Sequence, residues 1–276
     1  MKTDFIELTG DGVDSVSITQ ANILCVLSTV FFYILAEILN KIGKPNFVAS
    51  DAEFWRWRNI LISWVHGVLC GVWDFLCVVW YPDCLRDPVA FINNFTYLMI
   101  PFSAGYFIYD FIDLMQNKRL SINWEITLHH TIIVTSFIYN WTAKTCVGYN
   151  VLALMAEMNT IFLHLRKLLQ MCKFGFDSNI YQTITFLNLL TFITCRLIPQ
   201  ARLFSGFYFD SHRVSTTYLI FFGFTVTTGI IINIILFWRL VKTDILKGVL
   251  GWGLKKKGAN SIVTNGNNNA DYSKDE

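Results

Sequence analysis

Charge is what this 276-residue sequence has least of: only 15% of its residues are Asp, Glu, Lys or Arg, against about 25% in an ordinary soluble chain. So few charges cannot clothe a soluble globular surface. Proline is scarce too, with 5 residues, which leaves long stretches free to run as uninterrupted helix. The net charge of +2 excludes the strong basic field of a nucleic-acid-binding chain. There is no Gly-rich phosphate loop, no Ser nucleophile turn and no cysteine zinc pattern. With no HxxxH or HxxH spacing either, the sequence implies no metal and no cofactor. The start carries Asp4, Glu7, Asp11 and Asp14 where a signal peptide would have a basic segment. The first apolar run therefore reads as a retained span.

What is present is apolar and aromatic. Hydrophobic residues make up 54% of the chain, aromatics 16%, Phe alone counts 24, and the mean hydropathy is +0.44. A membrane-spanning helix needs about 20 predominantly apolar residues. The sequence offers seven such runs, at 18–39, 60–80, 97–115, 127–141, 151–169, 181–204 and 217–241, predicting an all-α membrane protein of about seven transmembrane helices. Seven of the 9 Trp lie at or near these ends, and Trp124 and Trp141 bracket the short fourth run like interfacial anchors.

Seven spans put the termini on opposite sides. One side collects sixteen of the 22 Lys and Arg and the other five, with Arg196 left inside the membrane. The basic side is cytoplasmic, so the sequence predicts residues 1–17 outside and the tail 248–276 in the cytoplasm. The two N-x-S/T sequons, at Asn94 and Asn140, fall in predicted outer loops and are glycosylation candidates. Cys84 and Cys146 lie in successive outer loops and form a candidate disulfide. After the last span, apolar residues alternate with lysines up to Lys257, reading as an interfacial segment or a solvated juxtamembrane one. The Asn-, Gly- and Ser-rich end is predicted to be disordered.

Ionisable residues within the spans are the functional signal, because each costs at least about 2.5–3.5 kcal/mol at membrane depth and therefore faces the bundle interior and pairs. Four of the 5 histidines, His66, His129, His130 and His164, are so placed, with Asp74, Asp110, Asp113, Glu157 and Arg196. At about 1.5 Å per residue, most of them fall in the cytoplasmic half, with Glu157 deepest at about 18 Å. Asp110 and Asp113 share a helix face, as do Glu157 and His164. A His pair beside carboxylates can serve as general base or acyl acceptor; the alternative is hydrogen-bond glue between helices. Arg196, three residues before the helix-distorting Pro199, is paired by depth with Asp74 as a structural contact.

Several strings carry a family resemblance: Trp55-Arg56-Trp57-Arg58-Asn59, the run Ser103 to Asp110 continuing to Asp113, Trp124-Glu125, His129-His130, Ala156 to Leu163, and Arg196-Leu197-Ile198-Pro199-Gln200-Ala201. In these the chain resembles the TLC (TRAM-LAG1-CLN8) domain proteins, over a domain placed at 50–247. It looks most like the branch that regulates plasma-membrane fluidity and phospholipid composition, which includes a nematode fluidity protein. The resemblance implies six helices forming a bundle around a lipid-accessible cavity, preceded by one extra span. It implies a plasma-membrane regulator, not an enzyme, that limits long-chain polyunsaturated acyl chains in phospholipids. Its partners would be membrane phospholipids or their acyl chains, not nucleic acid. The cavity's polar residues would be His66, Asp110, Asp113, His129, His130, Glu157, Asn159 and His164. Ceramide synthases of the same family implicate the alternative, an acyltransferase with His129, His130 and Glu157 as candidate catalytic residues. Where those enzymes carry two aspartates three apart, this chain has Glu157 and Thr160.

Overall fold

The computed structural model describes residues 7–10 and 16–243, so the expectations for the tail 248–276 and for most of the first 17 residues lie outside the described residues. The described chain is helical: α1 (Ile18–Ile42), α2 (Asp51–Trp80), the short α3 (Asp83–Arg86), α4 (Asn94–Gln116), α5 (Trp124–Ala143), α6 (Val147–Leu154), α7 (Ala156–Met171), α8 (Asn179–Phe192), α9 (Ile198–Phe209) and α10 (Thr216–Leu240). Among the described residues the one extended pairing is an isolated bridge from Thr9 to Phe91. Helix starts follow local chemistry. Ser17, Ser50, Asn93 and Ser215 each accept a hydrogen bond from the backbone N–H three residues on, satisfying a donor that the first turn leaves unpaired.

Among the described residues, five helical stretches are long and apolar enough to cross a membrane: Ile18–Ile42, Asp51–Trp80, Asn94–Gln116, Asn179–Phe209 and Thr216–Thr243. Two of the seven expected runs differ from that description. α5 is diluted by His, Thr and Asn. The run at 151–169 begins earlier, at Val147, and is interrupted at Met155, where the Met158 N–H turns to the Met155 carbonyl at 3.1 Å. At Pro199 the expected distortion takes a specific form. The π-helical turn Ile193–Leu197 joins α8 to α9, and Pro199 sits at the start of α9, where its missing N–H is accommodated without a break.

α1 buries Ala21, Cys25, Ser28, Phe32 and Ala36 against α4 and leaves Ile23, Val26, Leu27 and Val30 exposed. This three-and-four spacing is one helical stripe. The two helices approach closely because residue 105 is Gly: a Cβ there would stand 2.4 Å from the Cys25 carbonyl oxygen. Side-chain hydroxyls use the proximity, Ser28 donating to the Phe102 carbonyl at 2.6 Å and Thr29 to the Gly105 carbonyl at 3.0 Å.

Apart from α1, pairwise packing runs from α2 to α4, α5, α10, α9, the π turn, α8 and α7, and returns to α2. The loops gather at two ends. At one end the N-terminal segment hydrogen-bonds the 83–93 loop through Thr9, Lys144 donates to the Val16 carbonyl at 2.6 Å, and Arg213 pairs with Asp87 at 2.7 Å. At the other, Arg119 stands over the Trp55 ring and Arg239 pairs with Glu125 at 3.0 Å.

Candidate functional site

The α2–α7 seam builds the first half of the polar interior. Gly67 and Gly71, four apart, strip side chains from the α2 face that meets α7. A Cβ at Gly71 would stand 3.1 Å from the Met158 nitrogen and 3.2 Å from the Glu157 carbonyl carbon. This is the small-xxx-small device of membrane helices. It brings His66 Nδ1 to 3.5 Å from Glu157 Oε2. His66 is fully buried, stacked on Tyr106 at 3.9 Å between ring centroids, with Nε2 3.1 Å from the Ser103 hydroxyl.

α4 and α5 build the second half. His130 Nδ1 lies 2.9 Å from Asp110 Oδ2, and the other Asp110 oxygen accepts from Asn59 at 2.9 Å. Phe107 touches both imidazoles, its ring centroid 4.6 Å from His130 and 5.4 Å from His66. His129 interacts electrostatically with Glu157 and Arg196, and His164 with Glu157 and Lys167. α5 and α7 are not neighbours in the helix ring, so the His129–Glu157 field crosses its interior. The buried His164 Nδ1 lacks a hydrogen-bond partner, whereas His66 Nδ1 and His130 Nδ1 face the carboxylates of Glu157 and Asp110. Buried polar atoms normally find one, and leaving them unsatisfied is costly.

The sequence pairing of Asp74 with Arg196 is not made. Arg196 Nε donates to Asn159 Oδ1 at 2.7 Å, Nη2 to the Thr160 hydroxyl at 2.9 Å, and Nη1 reaches Asn233 at 3.5 Å. Asn159 in turn donates to the Asn188 carbonyl at 2.9 Å. Asp74, 1% exposed, has an Oδ1 without a hydrogen-bond partner and lies in the field of Glu157. Equal depth did not suffice, because the π turn aims Arg196 at α7 and α10. Asp113 also separates from the cluster. It is buried against Arg58, which pairs with it directly, while Trp55 Nε1 donates to its Oδ2 at 2.9 Å.

The opposite end corrects three further expectations. Cys84 and Cys146 are free, buried thiols, and the disulfide is not formed. Cys84 lies in the field of Asp74, whereas Cys146 Sγ accepts from the Thr145 hydroxyl at 3.7 Å. Burial pushes the Cys84 thiol up to about 12 and raises Cys146 as well. Asn140 is 1% exposed inside α5 and donates to Asn150 Oδ1 at 2.8 Å, so its amide joins helices and is closed to a glycan. The Asn94 sequon begins α4, with its Thr96 fully buried and bonded to Asn93. Trp141 is likewise no interfacial anchor; it is 3% exposed and donates to Asn22 at 3.2 Å.

Sequence reasoning missed Gly67, Gly71, Arg58, Asn188 and Asn233. The glycine spacing was a readable signal; the two Asn and the arginine became informative only through their partners. Among the described residues no group of three or more His, Cys, Asp or Glu converges to hold a metal ion.

Comparison with known proteins adds an independent result. A family model described as the TLC domain matches residues 56–242. The chain is 32% identical over 235 residues to TLC domain-containing protein 2 of Danio rerio, covering 83% of this chain and 92% of that one. It is 32% identical over 219 residues to TLC domain-containing protein 1 of Mus musculus (79% and 87% covered) and 28% identical over 209 residues to TLC domain-containing protein 2 of Homo sapiens (76% and 78%). No solved structure gives a significant match.

Proposed function

The chain belongs to the TLC-domain family, and from that premise we propose that it is a non-catalytic regulator of plasma-membrane phospholipid composition. Its helices cross the membrane seven times, with the N-terminus outside and the C-terminus cytoplasmic. Six of them enclose a lipid-accessible cavity, and the protein limits long-chain polyunsaturated acyl chains in phospholipids, as in the fluidity-regulating branch that includes the nematode protein. Each cis double bond disrupts acyl packing, so this activity rigidifies the membrane.

One observation carries the reading. Thr160, which stands where the synthases carry their second aspartate, and the neighbouring Asn159 are both taken up by Arg196. What remains is the unpartnered His164 Nδ1 beside the His66–Glu157 and His130–Asp110 pairs, a polar interior suited to a polar lipid group. The segregation of sixteen basic residues to one side supports the orientation. A second reading, acyl transfer through His129 and His130, draws support from the field that Glu157 exerts on His129 across the ring.

The test is the phospholipid acyl profile of null cells rescued at matched expression with wild type or His129→Ala/His130→Ala. The regulator reading expects both to restore low polyunsaturated phospholipid. A folded, correctly located double variant that fails would favour the transferase, and wild type that leaves the profile unchanged would sink both.

A further inference from the structure

A second polar site lies outside the helix ring, where α1 leans on α2 and α4 beside the Arg58–Asp113 pair. A cavity of about 170 Å³ opens there, close to the 150 Å³ that accommodates a benzene-sized guest. Its floor is Tyr109, Arg58 and Asp113, all buried, and its rim includes Tyr33, Glu37 and Asn40 of α1. The carboxylates of Glu37 and Asp113 stand against the single cation of Arg58, leaving one negative charge in excess.

The two acids are held differently. Asp113 is saturated by Arg58, Trp55 and Asn117. Glu37 accepts one hydrogen bond, from Asn40 Nδ2 at 3.2 Å, and has no Lys, Arg or His within ion-pair distance among the described residues. It sits five residues from the end of α1, about 7 Å along the axis, between the exposed Ile34 and Ile38. A carboxylate without a cationic partner on an otherwise apolar helix face is open to a cation from outside the chain. A separate observation points the same way. Tyr109 is 2% exposed, and its buried hydroxyl has no hydrogen-bond partner although it stands in the fields of Glu37, Arg58 and Asp113.

One uncompensated negative charge and the Tyr33 and Tyr109 rings favour a cation, and the Glu37 carboxylate and the Tyr109 oxygen are there to accept its hydrogen bonds. A primary ammonium offers three donors and adds a favourable interaction with tyrosine faces. A quaternary ammonium offers no N–H, and a serine headgroup brings a carboxylate into an already negative pocket. The rim residues Tyr33 and Glu37 lie on α1 among the exposed apolar side chains of Ile34 and Ile38, where a lipid can approach. We propose that this pocket between α1, α2 and α4 binds the primary ammonium of an ethanolamine-type phospholipid headgroup, with Glu37 as counter-ion and the Tyr109 hydroxyl as hydrogen-bond partner. The site is separate from the ring interior and does not depend on what the ring contains.

The test uses the full chain, delipidated in neutral detergent and titrated with dioleoyl phosphatidylethanolamine, dioleoyl phosphatidylcholine or free ethanolamine, with bound lipid counted by native mass spectrometry. Wild type is expected to retain the ethanolamine lipid about tenfold more tightly than the choline lipid. Glu37→Gln should abolish that preference, and Tyr109→Phe should reduce it. His129→Ala/His130→Ala should keep it, which separates this site from the ring. Equal retention of the two lipids by wild type, or an unchanged preference in Glu37→Gln, overturns the proposal. Displacement of the lipid by an equimolar amount of free ethanolamine overturns the lipid source. Should Glu37→Gln fail to fold, Tyr109→Phe carries the same comparison.

Discussion

Gly71→Ala is the sharpest probe of how the polar interior is held. The new methyl would meet two backbone atoms of α7, the Met158 nitrogen at 3.1 Å and the Glu157 carbonyl carbon at 3.2 Å, and the Met158 sulfur at 3.2 Å. The sulfur can swing aside, but the backbone atoms cannot. α7 must therefore retreat by a few tenths of an ångström, carrying Glu157 away from His66, which it now faces at 3.5 Å. Overpacking of this kind costs about 1–3 kcal/mol, offset by about 0.5–1 kcal/mol from replacing glycine within a helix. A net loss of about 1–2 kcal/mol follows, or roughly 2–8 °C in the unfolding midpoint of the purified protein, at about 2–4 °C per kcal/mol. Gly175→Ala is the control, because its methyl meets nothing within 4 Å. Gly67→Ala should fall between the two, since its nearest neighbour is the Thr160 methyl at 3.2 Å. If Gly71→Ala melts at or above the Gly175→Ala midpoint, close approach does not hold α2 to α7 and the reasoning fails.

Three further outcomes follow from the geometry. Removing either partner of the buried Arg58–Asp113 pair should cost about 3–5 kcal/mol, and Arg58→Leu/Asp113→Leu less than the sum of the singles; additive midpoint losses would count against the pairing. Exchanging the charges in Asp74→Arg/Arg196→Asp should be no more stable than the worse single variant, because Arg196 is bonded to Asn159, Thr160 and Asn233; a rescued double variant would restore the discarded Asp74 pairing. In the loops outside the membrane, partial burial raises the Asp87 carboxyl, but the hydrogen bonds and charge of Arg213 outweigh it and hold the group below its ordinary value. A depressed acid stabilises fully above its unfolded pKa of about 3.9 and loses that contribution as pH falls through the lower folded value. Asp87→Asn should therefore flatten the acid limb of the midpoint–pH curve below about pH 4 while leaving its shape from pH 6 to 8 unchanged; an identical acid limb in the variant would refute the link.

How much was legible beforehand can be judged residue by residue. The apolar runs around α1, α2, α4, α8–α9 and α10 emerge as helices long and apolar enough to span, because lipid exposure writes itself into composition. α7 was harder. Its Glu157, His164 and Lys167 dilute the hydropathy, and its first turn lies where the Glu157–Met158 backbone meets Gly71 of α2. Among the site residues, the sequence grouped His66, Asp110, His130 and Glu157 by depth, and the structure joins them pairwise as His66 with Glu157 and His130 with Asp110.

Depth along a helix is a one-dimensional quantity that the sequence states directly: the rise is fixed at about 1.5 Å per residue, so the polar belt and the helical class follow from counting. Rotation and neighbour choice are not stated. Arg196 could face Asp74 or Asn159 at similar depth, and the π turn decided for Asn159. Asp113 could join Asp110 in the interior, but α1 and Arg58 drew it to the outer cavity. Cys84 and Cys146 share an end of the bundle, yet packing gives each thiol different neighbours. Composition set the membrane, the helices and the level of the charges. Only the tertiary structure decided which charge meets which, because that depends on azimuth, and azimuth is settled by the few positions, Gly71 and Gly105 among them, where two backbones can touch.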